Sequence, residues 1–132
     1  MLLPLVTQEQ WLAMTVYMEA EGEPFDGKLA VAQVIRNRAK ARNLSLADVV
    51  LQPMQFSCWN TDAPTRRKLD NPHPAFWDEC CRAALYVGPD ATQGATHYLN
   101  ERVVLRESGH LPSWFDPAKV TYRIGNHTFL RI

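Results

Sequence analysis

Tyr17-Met18-Glu19-Ala20-Glu21-Gly22-Glu23-Pro24 sets three acids, Glu19, Glu21 and Glu23, at the end of a stretch that reads as a helix. Leu12, Val16 and Glu19 are spaced i, i+4, i+7, so they share one helical face. A carboxylate on an apolar stripe is costly to ionise, and desolvation there raises its pKa. A carboxylic acid that keeps its proton near neutral pH is what general acid catalysis needs. Glu19 is therefore the leading catalytic candidate, against the plain alternative of an acid that bends out into solvent. Glu21 lies about half a turn away and reads as solvated. Glu23, just past Gly22, is a second candidate that could equally cap the following helix.

Other residue types offer other chemistries. His73, His97, His110 and His127 show no HExxH, no HxH and no paired-cysteine spacing, so neither a metal nor a cofactor is expected. Cys58, in Phe56-Ser57-Cys58-Trp59, could form a nucleophile pair with His97 or His127, although a free cysteine is more often a small buried residue. Trp59, Tyr98 and Trp114 fall in the same segments as Gln55, Ser57, Thr96 and Asn100. Sugar rings stack their apolar CH faces on indole and phenol, while amides and hydroxyls reach their oxygens. Packing explains each aromatic singly; together with an acid on a buried stripe they favour a saccharide cleft.

These residues must be positioned by a mainly helical frame. Thr7 with Gln10 forms a capping box for a helix to about Ala20. Pro24 suits the first turn of a second helix to Ala41, with Ala30, Val31, Val34 and Ile35 on its core face. Arg36, Arg38, Lys40 and Arg42 near its end read as cations in solvent rather than a substrate patch. Ser45 with Asp48 starts a short helix, Leu46 to Leu51, and Asn60 to His73 reads as a long loop. Pro74 opens a helix to about Val87, which Gly88-Pro89 ends. Val120–Ile124, Gly125-Asn126 and His127–Arg131 then read as a two-residue hairpin. Alternation puts His127, Phe129 and Arg131 on one face, and Thr128 and Leu130 on the other. The expected class is α+β, mainly α-helical, with a small C-terminal β-hairpin.

The 132 residues suit a single domain, 1–132, able to bury a real core. Fourteen basic and fourteen acidic residues cancel, so no overall field argues for nucleic acid. Cys58, Cys80 and Cys81 are odd in number and partly adjacent, a poor disulfide framework that fits a reducing compartment. Met1–Val6 is apolar but lacks a basic n-region and an adequate h-region, so neither a signal peptide nor a membrane span is expected.

Met18–Pro24, followed by Gly27-Lys28-Leu29-Ala30-Val31-Ala32-Gln33-Val34-Ile35-Arg36-Asn37-Arg38, resembles the opening of the SleB/CwlJ-type cell wall hydrolases. The resemblance resumes at Gln55–Trp59, at Gly94-Ala95-Thr96-His97-Tyr98-Leu99-Asn100 and at Ile124–Phe129, four blocks in order along nearly the whole chain. It implies a fold similar to the lysozyme-like lytic transglycosylases, with Glu19 as the catalytic residue. It also implies that Gln55, Ser57, Trp59, Thr96, His97, Tyr98 and His127 lie in or beside the substrate cleft. One position departs: where relatives commonly carry Arg between the two small residues, this chain has Glu21.

The implied reaction is cleavage of the β-1,4 bond between N-acetylmuramic acid and N-acetylglucosamine in peptidoglycan. Ordinary glycosidases need a second carboxylate, roughly 5 Å away for retention or roughly 6.5–9.5 Å for inversion. The matched blocks hold no obvious second acid. A lytic transglycosylase avoids that need, because the muramoyl 6-hydroxyl attacks the anomeric carbon and leaves a 1,6-anhydro end. A muramidase-type hydrolase using Glu23 or Asp26, a wall peptidase using Cys58, and a non-catalytic wall-binding module are the alternatives. A compact domain with no expected signal peptide and no repeated wall-binding module resembles a monomeric phage endolysin acting on glycan strands more than a spore enzyme. A prophage gene, or a bacterial enzyme exported another way, would read the same. An endolysin would be held in the host cytoplasm until a holin-type membrane partner lets it reach the wall.

Overall fold

Thr7 closes the first helix as its spacing predicts: its hydroxyl accepts from Gln10 N at 3.1 Å, and the Gln10 side chain accepts from Thr7 N at 2.7 Å. The structure, a computed structural model, describes residues 6–52, 56–59 and 64–132. Helix α1 spans Gln8–Ala20 and α2 spans Phe25–Arg42 after Pro24. Asn43 ends α2 in the left-handed region at φ 54°, a conformation its short polar side chain tolerates. Helix α3, Leu46–Val50, is capped by Ser45, and α4 covers Pro74–Leu85. Helix α4 stops short of Val87, because Tyr86 is already extended.

The helices bury one core. Leu12 and Val16 of α1 meet Val31, Val34 and Ile35 of α2, Val49 and Val50 of α3, and Cys80, Ala83 and Ala84 of α4. All four core positions expected of α2 are buried. So is Lys28, only 1% exposed, which the sequence reading did not single out. Its ammonium is satisfied by Glu23 O at 2.5 Å and by Glu79 at 3.9 Å, and it lies 4.8 Å from the centre of the Phe76 ring. That contact ties the turn after α1 to α2.

A three-stranded antiparallel sheet completes the fold: β1 His97–Leu99, β2 Val120–Ile124 and β3 His127–Leu130, in the order β1-β3-β2. The hairpin falls where Gly125-Asn126 places it. Strand β1 and helix α5, Glu101–Ser108, are additions to the sequence reading. In register, Tyr98, Phe129 and Tyr122 share one face with His127, as alternation requires. Thr128, Phe129 and Leu130 are all buried, so central β3 is covered on both faces.

Two expectations differ from the structure. Arg36 and Arg38 are not cations in solvent: Arg36 donates to Ala84 O and Arg38 Nε to Thr96 O, each at 2.5 Å, while Lys40 and Arg42 are exposed. Asn37 between them donates to Ala95 O at 2.9 Å. These three side chains fasten α4 and the sheet to α2, because carbonyls at element ends need donors. The second concerns the expected loop 60–73, of which 60–63 lie outside the described residues. Pro64–Asp70 is a 3-10 helix packed on α1, not open loop, and it brings Lys68 to the end of α1.

Candidate active site

Glu19 stands in the last turn of α1, where its helix passes from core to surface, and it is part-exposed. Burial pushes its carboxyl above the ordinary carboxylate range; a hydrogen bond from the Cys58 thiol and the charges of Lys68 and Arg38 pull it part of the way back. Each comes from a different element: Cys58 from the 3-10 turn Ser57–Trp59, Lys68 from Pro64–Asp70, Arg38 from α2. Among the described residues no carboxylate is one of the groups that shift Glu19. Among them the site is one desolvated acid beside two cations.

Tyr98 of β1 forms the neighbouring wall. Burial, and after it the negative charge of Glu19, push its phenol well above its ordinary value, so it stays a hydrogen-bond donor at any physiological pH. Its ring meets His127 edge-on, centroids 5.2 Å apart, and stacks on Phe129 at 5.7 Å. His127 Nδ1 in turn lies 3.5 Å from Glu23 Oε1, both side chains little exposed. Burial lowers the His127 pKa, and the Glu23 charge opposes that shift. Glu23 also packs against Gly125, which sits at φ +55°, a conformation that favours glycine, and a Cβ there would push the Glu23 carboxylate aside. Glu19, Tyr98, His127 and Glu23 therefore run as a chain of neighbours from α1 to the hairpin turn.

The remaining residues implied by resemblance are distributed differently. Trp59 donates its indole N–H to Thr15 at 2.8 Å and meets Trp11 edge-on at 5.0 Å. It thus lies along the α1 face that carries Trp11, Thr15 and Glu19 at four-residue spacing. Thr96 uses its hydroxyl to hold the main chain of Ile132, accepting from its N–H at 3.2 Å. His97 projects to the sheet face opposite Tyr98 and packs on Trp114, centroids 5.0 Å apart. Burial, with help from Arg38 and Arg42, lowers its pKa to about 4, so it is neutral at pH 7. Ser57 begins the turn that carries Cys58; Gln55 lies outside the described residues.

Glu21 is not a freely solvated acid. Lys68 Nζ lies 3.1 Å from its carboxylate, and although burial raises its pKa, hydrogen bonds from Lys68 and Tyr17 hold it below the ordinary value. Arg38 and Lys68 are the two site residues that sequence reasoning missed. Arg38 lies inside a matched block but groups by composition with its exposed neighbours; Lys68 is marked only as part of the basic triplet Arg66-Arg67-Lys68 in the expected loop. Among the described residues no group of three or more His, Cys, Asp or Glu converges to hold a metal ion. No helix among them is long and apolar enough to cross a membrane.

Comparison with known proteins matches this architecture to one group. A family model described as Cell Wall Hydrolase covers residues 22–130. Glu19 precedes that span by three residues. The spore cortex-lytic enzyme of Halalkalibacterium halodurans is 33% identical over 125 residues, 91% of this chain and 33% of the relative. That of Bacillus subtilis is 33% identical over 87 residues, 60% of this chain and 28% of the relative. The chain thus spans about a third of the length of the curated relatives it matches. Among solved structures, the catalytic domain of the germination-specific lytic transglycosylase SleB from Bacillus anthracis superposes with a TM-score of 0.68 at 25% identity. That match covers 98% of this chain and all of the other. The catalytic domain of the Bacillus cereus SleB protein gives 0.63 at 26% identity, over 94% and 89% of the two chains. The mainly helical, lysozyme-like fold with a small sheet is the one expected.

Proposed function

The chain belongs to the cell wall hydrolase family, and from that premise we propose that it cleaves the β-1,4 bond between N-acetylmuramic acid and N-acetylglucosamine in peptidoglycan as a lytic transglycosylase. The observation that supports this reading is that Glu19 has no second carboxylate acting on it among the described residues: its pKa is raised by burial, with two cations and a thiol around it. Glu19 gives its proton to the departing glycosidic oxygen as an oxocarbenium-like centre develops. The same carboxylate, now charged, takes the proton of the muramoyl 6-hydroxyl as that oxygen closes the 1,6-anhydro ring. Lys68 and Arg38 stabilise the charged form between the two steps. The Tyr98 phenol, held protonated, donates to a substrate oxygen.

The rival chemistries find less support. A muramidase with a second acid needs Glu23 or Asp26; Glu23 is engaged with His127 and Gly125, and Asp26 is exposed in the first turn of α2. A peptidase needs a Cys58 thiolate, yet the thiol lies against a carboxylate, where a second negative charge is disfavoured. The curated relatives are named spore cortex-lytic enzymes. Our reading extends to a monomeric phage endolysin, held in the host cytoplasm and admitted to the wall by a holin-type partner.

The pH profile tests the role of Glu19. The free enzyme must hold Glu19 protonated, so kcat/KM on purified sacculi is present below its pKa and lost as pH rises through it. Burial places that alkaline limb above the ordinary carboxylate range. Lys68→Gln removes a charge that lowers the Glu19 pKa, so the limb moves to still higher pH. A limb that stays in place in Lys68→Gln contradicts the assignment.

A further inference from the structure

Beyond the Glu19 site, the hairpin turn and the start of α5 enclose a second hollow of about 250 Å³. Asn100, Glu101, Arg102, Arg123, Asn126 and His127 line it, so its wall is polar and carries two cations against one carboxylate. The carboxylate is already committed: Glu101 Oε2 accepts from the Thr128 hydroxyl at 2.7 Å. Arg123 Nη2 lies 3.7 Å from that oxygen, too far for a tight two-point pair, and its side chain is 60% exposed. Arg102 is exposed and forms no ion pair with a described residue. Asn100 spends its carbonyl oxygen on Val103 N at 3.1 Å, which leaves its NH2 to donate. The hollow is thus rich in unused donors on a chain whose overall charge is zero.

His127 belongs to both places. It lines the hollow, and it is also the ring that meets Tyr98 and Glu23 in the candidate active site. A glycan strand seated at Glu19 has a backbone of neutral hydroxyl and N-acetyl groups. Its negative charge sits on the lactyl arm of the muramic acid, as the arm's own carboxylate or as those of a peptide stem attached to it. We propose that the hollow at the hairpin turn is a subsite for carboxylates carried on the lactyl arm, with Arg123 and Arg102 as its charged donors. The inference rests on the glycan reading above and adds a second, charge-recognising point of contact to it.

Binding to a full-length Glu19→Gln protein, which holds strands without cutting them, separates the two ideas. Titration with stem-bearing glycan strands is compared with titration by strands freed of stems by an amidase, which keep the bare lactyl carboxylate. Arg123→Gln and Arg102→Gln, each added to Glu19→Gln, are expected to weaken binding of stem-bearing strands about tenfold. Both residues are exposed, so neither change threatens the fold, and circular dichroism checks this. A loss confined to stem-bearing strands assigns the stem carboxylates, a loss confined to the freed strands assigns the lactyl carboxylate, and an equal loss on both shows that the subsite takes either. Unchanged affinity in both variants, with the parent still binding, overturns the subsite alone. A parent that binds neither strand overturns the glycan reading and this inference with it.

Discussion

Glu19→Gln abolishes lysis of purified sacculi, with kcat reduced by about a thousandfold or more, while the protein keeps its fold. The size follows from the role: one side chain serves as acid and then as base, and a positioned acid–base group contributes roughly 10²–10⁴ in rate. The amide is nearly isosteric and keeps hydrogen-bonding capacity toward Cys58 but cannot deliver a proton. Stability is not expected to fall, because burial opposes the charged form of Glu19 and the substitution removes that charge. Thermal melting checks the fold, and release of soluble muropeptides checks the activity. Activity near that of the parent would show that the proton comes from elsewhere.

Arg38→Met is expected to lower stability by about 2–4 kcal/mol, seen as a fall of ~10 °C in Tm. Arg38 is 7% exposed and fills space with its stem, so Met keeps the volume. What is lost is the bond from Nε to Thr96 O, which leaves a carbonyl at the start of β1 without that donor. The contact of the guanidinium with the Phe56 ring, 5.3 Å to the centroid, goes with it. Catalysis supplies a second readout. Arg38 lowers the Glu19 pKa, so its removal moves the alkaline limb of the pH profile upward, in the same direction as Lys68→Gln. A Tm within 2 °C or so of the parent would mean that Arg38 does not fasten the sheet.

The parts of the fold legible in the sequence are those whose causes are local. Thr7 and Gln10 satisfy each other across three residues, and Gly125-Asn126 turns a hairpin whose flanks already alternate. Strand β1 has no such signal: His97–Leu99 is a strand because β3 pairs with it and because Thr96 N reaches Leu130 O. Helix α5 spans only eight residues and fully buries none of them, too short a stretch to announce a helix by its period, although Asn100 is present as its cap.

The site divides in the same way. The stripe of Leu12, Val16 and Glu19 exposed the acid from helical period alone. Tyr98 and His127 were reached through the resemblance, and their contact needs the register of β1 on β3. Glu21 reads as solvated because its partner, Lys68, arrives on a 3-10 helix that the sequence shows as a loop with prolines and the basic triplet Arg66-Arg67-Lys68, with nothing to say which acid that triplet meets. Arg38 was grouped with Lys40 and Arg42 by composition, and only the position of Thr96 separates it from them.

The most direct test is mass spectrometry of the fragments released from purified sacculi by the unmodified protein. Glu19 acting as acid and then base predicts muropeptides ending in 1,6-anhydro-N-acetylmuramic acid, lighter by one water than the hydrolytic product. Reducing muramic acid ends would instead require a second group that activates water. Cut peptide stems with intact glycan, or no fragments at all, would contradict glycan cleavage by Glu19 altogether.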